Sequence, residues 1–431
     1  MSNRTVRMAA AVAATLSLSA VAWSQTPEQR IAQLEEKIAT LEARQAASSK
    51  DLAATIDSVL RDAERRSQLL ANGADSGAGY DNGFFIRGGA WELRPSALFQ
   101  FRHVLNYRDN VSGDDSTFEN GFEVSRMQFG LSGTAFTKDL EFAIDWNSST
   151  DDGSLVLEDA FAKYMFADAW GVRMGQFRVP ISHEWLIGEG TQLAVDRSMV
   201  DNLIGGAFAG RTQGVSLVYG NYAKNNPVNA EVVLHDGAGE DNTNFVDASF
   251  DWGVAARLEF KAMGDWKNYG DLTAKGTKDD LLVFGIGGDW SQSGDDNLFL
   301  AALDAQFEMA NGLGLYGAAL MRSIDTEIVD STDWGFLVQA GFMLNPSWEI
   351  FGRYNGIWYD EDYSGDDFHE LTAGVNYYMG KDGSAGHRAK FTVDLGYLPN
   401  GAPRALSNLG ILDNNGDEDE WILRAQFQLW I

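Results

Sequence analysis

The last eleven residues of the chain alternate between apolar and polar side chains. From Leu423 to Ile431 every second residue is apolar, whereas Arg424, Gln426 and Gln428 between them are polar. A strand with one apolar and one polar face, ending at the carboxyl terminus, suits the closing strand of a membrane β-barrel, where lipid covers one face and water the other. The pattern therefore predicts a transmembrane barrel.

The same alternation recurs along residues 84–431 in about sixteen segments, each of the length that a tilted membrane strand needs. Clear examples are residues 97–107, 127–132, 140–147 and 390–395. We expect an all-β fold, an antiparallel transmembrane β-barrel of about sixteen strands. A soluble two-sheet sandwich alternates as well, but it would not repeat so many long strands in one domain.

The amino terminus has the pattern of an export signal. Arg4 and Arg7 precede an apolar stretch at residues 8–22, which ends in small residues suited to signal-peptidase cleavage. The stretch is too short for a helix that spans a bilayer. We therefore predict a signal peptide at residues 1–24, and the alternative is a retained anchor helix.

Residues 25–71 carry helix-forming side chains in a heptad pattern. The first a and d positions are apolar, namely Ile31, Leu34, Ile38 and Leu41. This spacing predicts a short α-helical coiled coil, trimeric, ahead of the barrel. A single amphipathic helix lying on the barrel is the alternative. Residues 72–83 are rich in Gly, Asp and Ser, which predicts a flexible linker before the barrel at residues 84–431.

Short and long connections alternate along the predicted barrel. In outer-membrane barrels short turns face the periplasm and long loops face outwards, so both barrel ends and the coiled coil would lie on the periplasmic side. The longest connection, residues 181–210, falls on the outer side. The connection at residues 262–280 is too long for its predicted periplasmic side, and the pattern does not explain it.

Composition fits a barrel and locates the acidic charge. The chain has 46 Gly, 12% aromatic residues and a mean hydropathy of -0.23, as expected for strands that face water on alternate residues. The net charge is -29, and the predicted outer loops, apart from residues 181–210, contain a single basic residue, Arg404. Solvated turn chemistry explains the acidic loops. The alternative is a divalent-cation site with the ligands Asp413, Asn415, Asp417 and Glu420.

No pattern of catalytic or metal-binding residues emerges from the sequence. The 5 His are scattered, no Cys is present, and no phosphate-binding Gly loop joins a strand to a helix. We therefore expect no enzyme activity, no cofactor and no metal. A sequence pI of about 4.4 excludes a basic surface for nucleic acid.

Four sequence blocks carry a family resemblance. They are residues 122–133 (FEVSRMQFGLSG), 157–161 (LEDAF), 171–180 (GVRMGQFRVP) and 196–215, which begins DRS and ends GRTQGV. In order and spacing these blocks resemble those of the phosphate-selective porin O/P family. The resemblance implies a sixteen-stranded outer-membrane barrel in contact with lipid, usually a homotrimer, with the long third loop folded into the pore. Residues 181–210 would be that loop.

The resemblance also implies uptake of anions such as phosphate past arginines that line the lumen. The candidate pore-lining residues are Arg102, Arg126, Lys163, Arg178, Arg197, Arg211, Arg257, Arg353, Lys390 and Arg424. Alternation adds Lys261 and Arg388 to the water side of the wall. It also puts there the carboxylates Glu141, Asp145, Asp159, Glu259, Asp289, Asp304, Glu308, Glu349, Glu370 and Asp394. Because these charges nearly cancel, we expect weak ion selectivity.

The sequence thus predicts an outer-membrane porin that passes small hydrophilic or ionic solutes, including anions such as phosphate, by passive diffusion. The alternative function is structural, with the coiled coil tying the outer membrane to the cell wall. Conductance of single channels would separate the two functions.

Overall fold

The computed structural model describes residues 76–81, 83–109, 116–149, 152–360, 367–413 and 419–431. The predicted signal peptide and coiled coil lie outside the described residues. Among the described residues, no helix is both long enough and apolar enough to cross a membrane.

The strands form one sheet that closes on itself. A hairpin of β1 (Gly77–Tyr80) and β2 (Phe84–Gly88) precedes the ring. The ring consists of β3 (Trp91–Asp109), β4 (Ser116–Ala135), β5 (Thr137–Ser148), β6 (Leu155–Met165), β7 (Trp170–Arg178), β8 (Arg211–Tyr219), β9 (Val228–His235), β10 (Trp252–Met263), β11 (Leu281–Ser293), β12 (Asp296–Glu308), β13 (Leu313–Asp325), β14 (Asp330–Asn345), β15 (Trp348–Trp358), β16 (Asp367–Tyr378), β17 (Ala389–Leu398) and β18 (Glu420–Trp430).

Each ring strand pairs antiparallel with the next one along the chain, and β18 pairs with β3 from Glu420–Arg108 to Trp430–Leu98. The described residues therefore form a closed antiparallel barrel, and the predictions of a barrel and of a closing strand at the carboxyl terminus are confirmed. On β18, Leu423 and Leu429 are exposed outwards, whereas Arg424, Gln426 and Gln428 are at most 2% exposed on the lumen side. Lipid outside and polar contacts inside explain the alternation.

The hairpin continues the wall beyond the end of β18. Ile431 exchanges backbone hydrogen bonds with Ala97, and from Leu93 to Trp91 the partner of β3 is instead β2. The segment 72–83, predicted as a linker, therefore includes strand β1. The alternation predicts Arg388 on the lumen wall, and this is wrong. Arg388 lies in a 3-10 helix (Gly386–Arg388) before β17, and its Nη1 donates to the hydroxyl of Tyr80 (2.8 Å).

Both barrel termini lie at one end of the barrel, which we call the turn end, and the opposite end is the loop end. Most connections at the turn end are short, but the loop end also has short ones at residues 294–295 and 326–329. The longest connection, residues 179–210, starts at the loop end and folds into the lumen. We call it the inward loop. It contains α1 (His183–Leu186), a 3-10 helix (Glu189–Thr191), α2 (Met199–Ile204) and α3 (Gly206–Ala209). Ser182 caps α1 by accepting from the Trp185 amide, and Ser198 caps α2 by accepting from the Asp201 amide.

Residues 264–280 explain the long connection at the turn end, because they also fold into the lumen. We call this segment the inward turn; it contains a 3-10 helix (Trp266–Gly270). Gln306 Nε2 on β12 donates to the Asp271 carbonyl (2.7 Å), and Thr277 Oγ1 donates to Glu308 (2.6 Å). The ring of Tyr269 stacks on His183 of the inward loop at 3.7 Å between centroids. The inward turn thus supports the inward loop from the turn end.

The apolar core lies inside the barrel, between the inward loop and the wall from β10 to β18. The loop contributes Val179, Ile181, Leu193, Met199, Val200, Leu203 and Ile204, and the wall contributes Ala255, Leu300, Ala302, Tyr316, Leu320, Leu337, Phe351 and Ile422. Two glycines allow the close approach. A Cβ at Gly287 would lie 2.2 Å from the Ile181 carbonyl oxygen, and one at Gly335 would lie 2.1 Å from Val200. This packing fills one side of the lumen and leaves space beside β3 to β7.

Two more 3-10 helices lie in the remaining connections, Lys381–Gly383 at the turn end and Ser407–Leu409 at the loop end. Ser407–Leu409 belongs to the connection between β17 and β18. Leu406 and Leu409 of that connection are buried in the same apolar core. The loop-end connection therefore contributes to the same core as the inward loop.

Candidate functional site

Two cavities lie beside the inward loop, along the wall from β3 to β7. The loop-side cavity has a volume of about 600 Å³ and is lined by Arg102, Glu123, Ser125, Arg126, Asn147, Ser148, Ser149, Ser407 and Asn408. The turn-side cavity has a volume of about 340 Å³, and its polar lining comprises Ser96, Gln128, Asp145, Glu158, Asp159, Arg173, Arg178 and Glu189. Arg126 and Gln128 are two residues apart on β4, so the cavities follow one another along the strand. They are the candidate path for solutes.

Two β-bulges bring extra polar side chains to this path. On β4, Gln100 pairs with Arg126 and Phe101 pairs with Val124, so Ser125 has no partner in the register. On β6, Asp145 pairs with Asp159 and Trp146 pairs with Leu157, so Glu158 is unmatched. An extra residue of this kind changes which face the following side chains occupy. As a result, neighbouring residues such as Glu158 and Asp159 both reach the lumen, which strict alternation could not predict.

Between the cavities, Glu189 of the inward loop is surrounded by cationic side chains. Its carboxylate accepts from Arg197 Nη1 (2.7 Å) and from Arg178 Nη2 (3.0 Å). Burial alone would raise the pKa of Glu189, but Arg178 and Arg197, together with the more distant Arg126 and Arg211, hold it well below its ordinary value. Glu189 therefore stays ionised.

Asp196, at the middle of the inward loop, joins the loop to the wall. Its carboxylate accepts from Arg102 Nη1 (2.6 Å), Arg126 Nη2 (2.9 Å) and Arg424 Nη1 (3.5 Å). Burial opposes the charge on Asp196, yet these arginines hold its pKa below the ordinary value. One buried carboxylate thus forms ion pairs with arginines from β3, β4 and β18.

Half of the predicted pore-lining residues lie beneath the inward loop or within it, away from the open path. Arg257 pairs with Asp304 (2.8 Å), Arg353 with Glu370 (2.9 Å), and Arg424 with Asp394 (2.7 Å). Lys390 donates to the Gln192 carbonyl (2.8 Å). Arg197 is held inside the loop, where it donates to the carbonyls of Glu184 and Ile187 as well as to Glu189. These cations attach the inward loop to the barrel wall and hold the turns of the loop together.

Four of the other predicted residues adjoin the path. Arg102, Arg126 and Arg178 line the two cavities, and Arg211 pairs with Glu158 (2.9 Å) and Asp159 (3.1 Å) of the turn-side cavity. Lys163 pairs with Glu141 (3.3 Å) and lines a separate small cavity. All of these cations therefore have carboxylate partners.

The sequence patterns missed several residues of the path. Alternation did not predict that Glu158 faces the lumen, because the β-bulge changes its face. Glu189 lies in a loop, where alternation gives no information on side-chain direction. Arg173 of β7 lines the turn-side cavity and pairs with Glu231, with its guanidinium 3.8 Å from the centre of the Phe177 ring. Its position two residues before Gly175 in the GQFRVP block was the one signal that could have found it. The ring of Trp185 lies within 4.7–5.5 Å of Arg178, Arg197 and Arg211.

Acidic residues of the loop end form no evident metal site. Within the ranges that the structure describes, no group of three or more His, Cys, Asp or Glu residues is arranged to hold a metal ion. Two of the ligands proposed above for a divalent cation, Asn415 and Asp417, lie outside those ranges.

The barrel fold agrees with a comparison against protein families. The model of the family described as phosphate-selective porin O and P matches residues 105–391, more than half of the chain. This chain belongs to the phosphate-selective porin O and P family. It is therefore a porin of the outer membrane, its outer face meets lipid, and its family and fold point to a channel for ions and small solutes and not to an enzyme. Membership also favours the porin over the structural tether.

Solved structures show the same fold at low sequence identity. An anion-selective porin from Comamonas acidovorans aligns with a TM-score of 0.54 and 15% identity over 79% of this chain and 100% of that one. OmpF of Salmonella typhi, in complex with daunomycin, aligns with a TM-score of 0.53 and 16% identity over 82% and 100%. OmpT of Vibrio cholerae aligns with a TM-score of 0.50 and 11% identity over 80% and 99%. No curated protein matches the sequence of this porin.

Proposed function

We propose that this porin is a passive channel of weak ion selectivity, in which small hydrophilic solutes and ions pass through the loop-side and turn-side cavities along β3 to β7. One observation carries the proposal. Every candidate cation beside the path is paired with a carboxylate, as in Arg126–Asp196 (2.9 Å), Arg178–Glu189 (3.0 Å) and Arg211–Glu158 (2.9 Å). A wall of paired charges exerts a weak net field on a permeant ion.

Anions such as phosphate remain candidate permeants because of the family and because a structurally similar porin is anion-selective. Two features oppose a strong preference for them. The turn-side cavity has four carboxylates, Asp145, Glu158, Asp159 and Glu189, against the two guanidinium groups of Arg173 and Arg178. The outer connections are acidic, which lowers the local concentration of anions at low salt.

A reversal potential measured across a KCl gradient in planar bilayers tests this proposal. We expect a small potential that falls further as salt is raised, because screening shortens the reach of wall charge. We also expect similar conductance in potassium chloride and potassium phosphate after correction for ion mobility. A large potential of anionic sign, or saturation of the current by millimolar phosphate, would show an anion-specific channel instead.

We also propose that residues 25–71 form a periplasmic coiled coil in a homotrimer, after cleavage of residues 1–24. The heptad positions and the family support this assembly, and the same segment is where a cell-wall contact would form. We expect the purified protein to migrate as a heat-dissociable trimer. Deletion of residues 28–70 should weaken the trimer against heat, and an unchanged dissociation temperature would show that the barrels associate without the coiled coil. A monomeric intact protein would contradict the trimer itself.

A further inference from the structure

The strongest unexplained feature of the path is the position of Glu189. We propose that Glu189 is a tethered counter-anion, whose carboxylate fills a preformed arginine site that would otherwise bind a permeant oxyanion such as a carboxylate or phosphate. Glu189 would then be the residue that sets the ion preference of the porin. This inference rests on the proposed function, since it explains why a lumen that contains arginines is only weakly selective.

The contacts of Glu189 are those that an anion would make. Oε1 accepts from Arg197 Nη1 (2.7 Å) and Arg178 Nη2 (3.1 Å), and Oε2 accepts from Arg178 Nη2 (3.0 Å) and Gln128 Nε2 (3.3 Å). Charge-assisted hydrogen bonds from guanidinium groups are the usual way in which proteins hold carboxylates and phosphates. Glu189 also lines the turn-side cavity, so the site opens to the solute path.

The arginines are held in place independently of Glu189. Arg178 Nη1 donates to the carbonyls of Trp185 (2.6 Å) and Ile187 (2.8 Å), and Arg197 donates to the carbonyls of Glu184 (3.1 Å) and Ile187 (2.7 Å). The face of the Trp185 ring lies against both guanidinium groups. Removal of the carboxylate therefore leaves a built site with two positive charges, of which Arg178 lines the cavity and Arg197 lies within the loop. A free anion can take the place of the carboxylate.

Asp145 provides a matched control. It lines the same cavity and carries the same charge, but it is not among the partners of Arg178 and Arg197. If the total charge of the cavity sets the ion preference, Asp145→Asn and Glu189→Gln will act alike. If the arginine site sets it, only Glu189→Gln will create anion binding.

The experiment measures reversal potentials in a KCl gradient and the block of chloride current by added inorganic phosphate. For Glu189→Gln we expect the chloride-to-potassium permeability ratio to rise by about fivefold at low salt, where wall charges are least screened, and millimolar phosphate to block the current. Asp145→Asn should shift the ratio less and create no block. Equal shifts in the two variants without phosphate block would overturn the inference.

A second variant covers the case in which glutamine at position 189 disturbs the loop. Glu189→Ala removes the whole carboxylate, and added acetate should fill the site and return the ratio toward the wild-type value, whereas a loosened loop would not respond to acetate. Heat-modifiable migration on gels checks that each barrel is folded. A strongly anion-selective wild type would refute the proposed function, whereas a weakly selective wild type with an unresponsive Glu189→Ala would refute only the role of Glu189.

Discussion

Replacement of Asp196 by alanine is expected to release the middle of the inward loop from the wall and to raise single-channel conductance. Asp196 is 1% exposed and forms ion pairs with Arg102, Arg126 and Arg424. Removal of one partner of a buried ion pair leaves uncompensated charge and costs about 3–5 kcal/mol. Conductance in planar bilayers, together with proteolysis of the loop in the folded barrel, measures the release.

The control for this prediction is Asp152→Ala, because Asp152 is exposed in the connection between β5 and β6. It should leave conductance and proteolysis unchanged.

The sign of the pH effect follows from the lowered pKa of Asp196. Its contribution to loop stability is present above the ordinary carboxyl pKa and is lost only as pH falls through the lower folded value. The attachment of the inward loop by Asp196 should therefore persist down to mildly acidic pH, which proteolysis of the loop in the wild-type barrel measures. An Asp196→Ala channel indistinguishable from wild type would show that the remaining polar contacts and the apolar packing hold the loop without Asp196.

Insertion into the outer membrane should fail when arginine replaces Phe427. Phe427 lies on the lipid face of β18, between Trp421 near the loop end and Ile431 at the turn end, so it is near the middle of the membrane. Arginine at such a position costs about 2–4 kcal/mol. The yield of heat-modifiable protein in outer-membrane fractions measures the effect.

The structure identifies the better lumen-facing control for this variant. Gln426 faces the lumen, but it is 2% exposed and is paired in register with Arg102, so a second arginine there would meet a like charge. Gln128 instead donates to Glu158 (3.1 Å) and Glu189 (3.3 Å) in the turn-side cavity. Gln128→Arg should therefore insert at nearly the wild-type yield. Equal losses for Phe427→Arg and Gln128→Arg would contradict the assignment of the two faces.

The alternating pattern was sufficient to predict the barrel wall. Lipid outside and polar groups inside require opposite side-chain chemistry at every second residue, and this requirement is local to each strand. For that reason the closing strand and the strand number near sixteen could be predicted from single segments. The lengths of the connections could be predicted only in part, because residues 294–295 and 326–329 form short connections at the loop end. The β-bulges at Ser125 and Glu158 could not be predicted from single segments, because each depends on the register with a neighbouring strand.

Alternation also indicated which side chains point inwards, but it could not show what covers them. Arg353 and Arg126 have the same pattern in sequence, yet Arg353 lies beneath the inward loop and Arg126 lines a cavity. The difference arises because residues 179–210 pack on the wall from β10 to β18 and leave the wall from β3 to β7 open. The inward fold of residues 264–280 could not be predicted either, since its contacts are with Gln306 and Glu308 of β12, a strand that comes later in the chain.

By itself, the sequence determined that this chain forms an outer-membrane barrel, because each strand has an apolar face for lipid and a polar face for the lumen. The motif blocks identified its family. Only the tertiary structure decided where a solute can pass and which charges it would meet. Those properties depend on ion pairs between residues far apart in the chain, such as Asp196 with Arg102. They also depend on which carboxylate pairs with each arginine in the folded chain. Glu189 shows the consequence, since its position beside Arg178 and Arg197 exists only once the loop has folded.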